Sequence, residues 1–189
     1  MYQQSLPIIL ASKSPRRQEL MKSMNLDFKV LIKDVDESFP DHLLPAEIAV
    51  HISEKKAAAF LDQSMDNIVV TADTIVAYKK EILGKPEDAT HAREILQKLS
   101  GTNHQVYTGV SISYNGHTAS FFDITEVFFN QLTIEQIDYY IKNYNPYDKA
   151  GAYGIQDWIG LIGIEKIIGS YTNVMGLPTE KLYQALLSI

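Results

Sequence analysis

Apolar and polar positions along this chain recur with two periods, and the period separates strands from helices. Ile68–Thr74, carrying on through Ile75, Val76 and Ala77, is a short apolar run rich in β-branched residues and reads as a buried strand. Pro7–Ala11 reads the same way, and Phe28, Val30 and Ile32 alternate as a further strand. Two β-rich stretches, Gln105–Tyr114 and Thr118–Phe129, flank Asn115-Gly116, a strong hairpin signal. Ile159–Ile168 reads as an apolar, glycine-containing strand.

Helical spacing appears elsewhere. Ser14 is a good N-cap and Pro15 suits the first helical position, with Leu20, Met21 and Met24 following on one face. Pro45 opens a helix to about Gln63, with Ile48, Ile52, Ala59 and Phe60 as its apolar stripe. Glu87–Leu99 turns Ala92, Ile95, Leu96 and Leu99 inward and stops at Ser100-Gly101. Thr133 caps a helix reaching about Tyr144, and Asn145-Pro146 ends it. Asn173–Leu177 reads as a turn and Pro178–Leu187 as a last helix. Strands alternate with helices except at the hairpin, so the class is α/β with a mixed sheet. Without repeats, low-complexity runs or a dividing linker, 1–189 reads as a single domain.

Composition narrows the possibilities. Hydrophobic residues make up 46% and charged residues 21% of the 189, as in ordinary soluble proteins. Each apolar run is interrupted before bilayer length, so no membrane association is expected. The start, MYQQSLP, lacks the features of a signal peptide, and a cytoplasmic location is expected. With no cysteine, thiolate metal sites and disulfides are excluded. A net charge of −6 argues against broad binding to a nucleic-acid polymer, yet leaves room for a small polyphosphate on a local basic cluster.

Chemistry concentrates at a few points. An ionised side chain in an apolar surround must be paired, hydrogen-bonded or metal-bound. Asp73, between Thr71 and Thr74, therefore either ends its strand as a turn cap or is presented where the strand ends at a cleft. Lys85, in a turn-like Gly84-Lys85-Pro86, favours the second, because a carboxylate and an ammonium together suit a metal and a phosphate. The strand–turn–helix around Ser12–Arg17 is a ready anion site. Arg16 and Arg17 fall in the helix's first turn, where the dipole disfavours cations, which suggests a ligand. Asp34, Asp36 and Glu37 read by default as a solvated turn, and Lys55 and Lys56 as an exposed face. Asp148–Gln156, with two glycines, lets a backbone approach a ligand closely or is an ordinary loop.

Taken together, ASKSPRR at 11–17, VDE at 35–37, KKA at 55–57, ADT at 72–74, GKP at 84–86, LSG at 99–101, DKAGAYGIQ at 148–156 and VMGLP at 174–178 resemble the Maf family of nucleoside triphosphate pyrophosphatases. The motifs cover almost the full chain in order. The resemblance implies a fold related to the inosine triphosphate pyrophosphatases, with two lobes around a central cleft, and a homodimer. It implies hydrolysis between the α and β phosphates of a nucleotide with a divalent cation, Mg²⁺ or Mn²⁺. By the same resemblance Asp73 is the proton acceptor, and Ser12, Arg16, Arg17, Lys56 and Lys85 line the phosphate cleft. Glu37 lies near the metal with Asp73. Lys56 is preferred to Lys55 because Ala57 follows it.

Arg16, Thr74 and Gln156 match the family branch acting on dTTP and UTP rather than on 7-methyl-GTP. A glutamine amide can pair with the imide edge of thymine or uracil; alternatively, Arg16 holds a phosphate and Thr74 tunes Asp73. Trp158 stands where the family usually has a small residue and reads as local packing. The physiological role implied is nucleotide-pool housekeeping, modified pyrimidine nucleotides included, or cell-division arrest. The competing class is a non-catalytic nucleotide-binding regulator of septum formation.

Overall fold

The computed structural model describes residues 6–189. In chain order the elements are β1 (Ile8–Leu10), α1 (Pro15–Ser23), β2 (Phe28–Val30), α2 (Pro45–Ala58), β3 (Ile68–Tyr78), β4 (Glu81–Leu83) and α3 (Ala89–Leu99). Then come β5 (Asn103–Tyr114), β6 (His117–Phe129), α4 (Ile134–Tyr144), α5 (Trp158–Gly163), β7 (Ile164–Ile168), α6 (Tyr171–Met175) and α7 (Thr179–Leu186). The seven strands form one mixed sheet in the order β2-β1-β3-β5-β6-β7, with β4 paired to β3. β1 lies parallel to β2 and to β3, whereas β4 and β7 run antiparallel to their partners. The expected α/β class with a mixed sheet and flanking helices is what the chain forms.

The chain folds as two compact units. The first runs to Thr74 and takes in Thr108–Asp123 and Gly176–Ile189. Its core is apolar, with Ile8, Leu10, Met21, Ala49, Val69 and Val70 all at 4% exposure or less. The second comprises Ile75–Tyr107 and Ile124–Met175, and packs Leu96, Leu99, Val127, Ile137 and Tyr140 inward. β3, β5 and β6 each pass from one unit to the other along the chain.

In the first unit the placement of α2 is set by close backbone approach. A Cβ on Gly109 of β5 would stand 2.3 Å from the carbonyl carbon and oxygen of Ala49 on α2. Four residues along the helix, the Ser53 hydroxyl meets the Ser111 hydroxyl at 2.8 Å, two residues along the strand. Thr71 of β3 donates to the Ser53 carbonyl at 2.7 Å. These buried polar groups satisfy one another, as burial requires, and they fix the helix against both strands.

The helices follow the expected caps. The Ser14 hydroxyl accepts from the Arg17 amide at 3.4 Å, and Asp88 caps α3 by accepting from the His91 amide at 2.8 Å. Thr133 and Gln136 form a reciprocal capping box at α4. Asn115 and Gly116 both take positive φ, 49° and 74°, as a tight hairpin turn demands.

Four expectations need correction. β3 does not end near Asp73 but continues to Tyr78 and folds back into β4. α2 ends at Ala58, and a single tight turn, Gln63–Met65, follows. The supposed strand from Ile159 to Ile168 is helix α5 followed by β7. Its apolar residues hide the period: Ile159 and Gly163, four apart, are buried, while Leu161 is 78% exposed, which is helical order. Tyr171–Met175 is a short helix, and only Gly176 after it turns.

Gly109→Ala is expected to destabilise the protein by about 2–4 kcal/mol, because the backbone of Ala49 cannot yield as a side chain would. Thermal unfolding checks this; at this chain length the midpoint drops about 2–4 °C per kcal/mol. A midpoint within a degree of wild type would show that α2 is free to shift.

Candidate active site

Strand alternation distributes the polar residues of β3 to two faces. Thr71 and Asp73 project to the face where α2 lies, so Ser53 and Lys56, three apart on that helix, meet them in turn. The Lys56 ammonium donates to Asp73 Oδ1 at 2.7 Å and lies 2.8 Å from Glu37 Oε1. The Lys56 and Asp73 side chains are 16% and 13% exposed, and Glu37 is 46% exposed. One cation thus joins two carboxylates, the first half-buried in the middle of a strand, the second on the long connection after β2.

Thr74 projects to the other face. Its hydroxyl accepts from Arg17 Nη2 at 3.0 Å and shares a hydrogen bond with the Thr108 hydroxyl, also at 3.0 Å. Arg17 donates further through Nε to the Gly176 carbonyl at 2.7 Å, and through Nη1 to the Ala72 carbonyl at 2.9 Å and Ser12 Oγ at 3.3 Å. Burial pulls the pKa of this guanidinium down, and the nearby charge of Asp73 opposes the shift; an arginine stays charged regardless. Gly176 takes φ +112°, a conformation side-chain-bearing residues rarely adopt, and so turns its carbonyl to Arg17. Ser12 Oγ also accepts from the Ser14 amide at 3.2 Å, which ties the turn before α1 together. Arg16, half-buried, stands beside Arg17 in the first turn of α1.

The other carboxylates of the charge run are paired rather than simply solvated. Asp34 meets Lys13 at 2.8 Å and Asp36 meets Lys55 at 2.9 Å. Hydrogen bonds from Ser38 and then from Lys55 hold the Asp36 carboxyl well below the usual range. Of the lysine pair, then, Lys56 is the one on Asp73, while Lys55 pins the connection through Asp36 and the Ser38 carbonyl.

First-unit geometry therefore gathers Ser12, Arg16, Arg17, Glu37, Lys56, Asp73 and Thr74 around the middle of β3 and the start of α1. Lys85 and Gln156 belong to the second unit. Lys85 follows β4, and the carbonyl of the preceding Gly84 accepts from the Gly151 amide at 3.1 Å, so the GKP and DKAGAYGIQ segments are neighbours. Gln156 carries a buried side-chain oxygen that meets no hydrogen-bond partner among the described residues. Such an atom costs roughly 1–3 kcal/mol unless something satisfies it. Trp158 packs its ring on Tyr139 at 4.7 Å, as local packing predicts. The contacts of Thr108 and Gly176 with the site were not foreseen; only the VMGLP motif hinted at the second.

The Maf-like protein family model matches residues 7–189. The chain belongs to the Maf family. Curated relatives in it include the dTTP/UTP pyrophosphatase of Flavobacterium psychrophilum, 52% identical over 96% of this chain and 93% of that protein. That of Cytophaga hutchinsonii is 47% identical over 95% of this chain and 82% of its own length. Among solved structures, a HAM1 protein from Coxiella burnetii aligns over 97% of this chain and 100% of that one, at TM-score 0.48 and 13% identity.

Arg17→Lys is expected to cost about 2–4 kcal/mol of stability, since one ammonium cannot reach the four acceptors that the guanidinium fork reaches. Urea unfolding measures it. A loss below about 1 kcal/mol would mean that the fork is not holding β3, α1 and Gly176 together.

Proposed function

We propose that this chain is a nucleoside triphosphate pyrophosphatase that hydrolyses dTTP and UTP to the monophosphate and pyrophosphate, modified pyrimidine nucleotides included. The observation that carries the reading is the Lys56 ammonium shared by Asp73 and Glu37 in the half-buried middle of β3. Family membership and the names of its close relatives support the reaction and the bases. Nucleotide-pool housekeeping is the corresponding role, in the cytoplasm and as a homodimer of a single Maf-like domain. No helix among the described residues is long and apolar enough to cross a membrane.

Asp73, held by the Lys56 ammonium, orients and takes a proton from the attacking water. Arg16, Lys56 and Lys85 face the phosphates and offset the charge that grows on the leaving pyrophosphate. Ser12 and the first turn of α1 add donors for an anion. Arg17 serves the same end indirectly, by fixing Thr74 and the backbone on either side of Asp73. Arg16, Thr74 and Gln156 discriminate the base, Gln156 by pairing with the imide edge through the amide whose oxygen is otherwise unsatisfied.

A divalent cation fits these residues. Two carboxylates already converge on one positive charge, and both offer the hard oxygen ligands that suit Mg²⁺ or Mn²⁺. Among the described residues no cluster of three or more His, Cys, Asp or Glu forms a complete protein cage. That suits Mg²⁺, which commonly takes one or two carboxylates and completes its shell with water and substrate phosphates. Glu37 and Asp73 would hold it, and when bound it would neutralise phosphate charge and lower the pKa of a water.

Asp73→Asn is expected to lower kcat by about 10²–10⁴-fold with dTTP binding largely kept. A panel of triphosphates scored for pyrophosphate release tests it, with and without chelator. Wild-type turnover in the variant, full activity in excess chelator, or orthophosphate as first product would each contradict the reading. Unaltered binding without turnover in the wild type would favour a non-catalytic regulator.

Exchanging Arg16, Thr74 and Gln156 together for the residues of the 7-methyl-GTP branch is expected to move the ratio of kcat/KM for dTTP against 7-methyl-GTP by at least about tenfold. An unmoved ratio would remove these residues from specificity.

A further inference from the structure

The DKAGAYGIQ segment is held by more hydrogen bonds than a surface loop needs. Resting on the reading that Gln156 recognises the base, we infer that two buried tyrosine hydroxyls, Tyr140 and Tyr153, are positioning residues that hold Gln156 in register for pyrimidine discrimination.

Tyr140 lies on α4 with 0% exposure, and its ring stacks on Tyr144 at 5.2 Å. Its hydroxyl donates to Asp157 Oδ2 at 2.7 Å and accepts from the Gly154 amide at 3.0 Å. One hydroxyl therefore grips the chain on both sides of Gln156, two residues before it and one after. The Lys149 ammonium lies 3.8 Å from the same Asp157 oxygen, and its side chain is only 11% exposed. Burial, and then the bond to Asp157, push the Tyr140 pKa up, so the group remains a donor at working pH.

Tyr153 anchors the same segment from the other direction. Its hydroxyl shares a 2.7 Å hydrogen bond with His104 Nε2, and both rings are buried against Phe129, with Phe129 5.1 Å from the Tyr153 ring and 5.7 Å from His104. Burial lowers the His104 pKa to about 4, so the ring is neutral and the contact is one between uncharged groups.

The backbone here is also strained and tight. Gly151 and Ala152 both take positive φ, +71° and +59°. A Cβ on Gly154 would stand 2.5 Å from Asp157 Oδ2. Non-glycine residues in this region persist only where surrounding contacts over-determine them. The two hydroxyls help to supply that determination.

The need for it follows from glutamine chemistry. A carboxamide offers a donor and an acceptor side by side, and turning over exchanges them. Turning over is a rotation about the last bond of the side chain, so the backbone decides where the carboxamide stands against a base edge. A displaced segment misaligns it with the imide edge of thymine and uracil and loses the advantage over the N3 and amino group of cytosine.

The experiment measures kcat and KM for dTTP and CTP in Tyr140→Phe, Gln156→Ala and the double variant. Tyr140→Phe keeps the ring and removes one hydroxyl. The expected result is a dTTP kcat within about twofold of wild type, and a dTTP-to-CTP ratio of kcat/KM lowered about tenfold, the size of one hydrogen bond's net worth. Gln156→Ala is expected to lower the ratio as much or more, and adding Tyr140→Phe to it to change the ratio no further. A ratio that moves in Gln156→Ala but not in Tyr140→Phe overturns the positioning role and leaves the base reading standing. A ratio that moves in neither overturns both. Equal loss of kcat on every nucleotide marks a merely structural residue. Should Tyr140→Phe lose its cooperative unfolding transition, Tyr153→Phe, which gives up only the His104 bond, carries the same test with the same two outcomes.

Discussion

Much of the first unit depends on giving one carboxylate a partner where apolar side chains surround it. Asp73 sits sixth in an eleven-residue strand whose neighbours Ala72 and Ile75 are buried. An unpaired charge there would be costly. Lys56 supplies the partner, and its ammonium also meets Glu37. The pairing is what allows Asp73 to lie half-buried in the strand.

That pairing is only as good as the position of α2, and the position of α2 is decided elsewhere. Gly109 lets the helix backbone close on β5, and the Ser53–Ser111 and Thr71–Ser53 bonds fix its rotation. A helix advances 1.5 Å per residue and a strand about 3.3 Å. Ser53 and Lys56, three apart on the helix, therefore track two residues of β3 only while the two elements stay in this register. The place of Lys56 beside Asp73 is in that sense set by a missing side chain on a neighbouring strand.

Much of this was readable beforehand, and the failures have physical causes. Caps, hairpin and the long β-branched strand announced themselves because each rests on chemistry within a few residues: Ser14 on Arg17, Thr133 on Gln136, Asn115-Gly116 on its own φ angles. The strand's end was misplaced because a carboxylate in an apolar run looks like a terminus unless its partner is known, and Lys56 lies 17 residues away. α5 was taken for strand because Ile159–Ile164 is apolar at every position, and burial period cannot show where no polar residue marks the outer face. The cluster of Asp34, Asp36 and Glu37 looked like solvated charge because its lysine partners, Lys13 on one side and Lys55 and Lys56 on the other, are distant in the chain. Family motifs named candidate residues that local patterns could not join.

The two adjacent arginines show how a correct premise can carry too much. Cations in the first turn of a helix lose about 0.3–1 kcal/mol each to the dipole. From that penalty alone both seem to require a ligand. Arg17 does not. Its guanidinium reaches two carbonyls and two hydroxyls, and hydrogen bonds from a charged donor contribute about 1.5–3 kcal/mol each. Their sum exceeds the dipole penalty several-fold before any ligand enters. Consecutive side chains on a helix diverge by about 100°, so the inward role of Arg17 turns Arg16 to a different direction. The misplaced charge of Arg17 is thus explained within the fold: it holds in place the strand that carries Asp73.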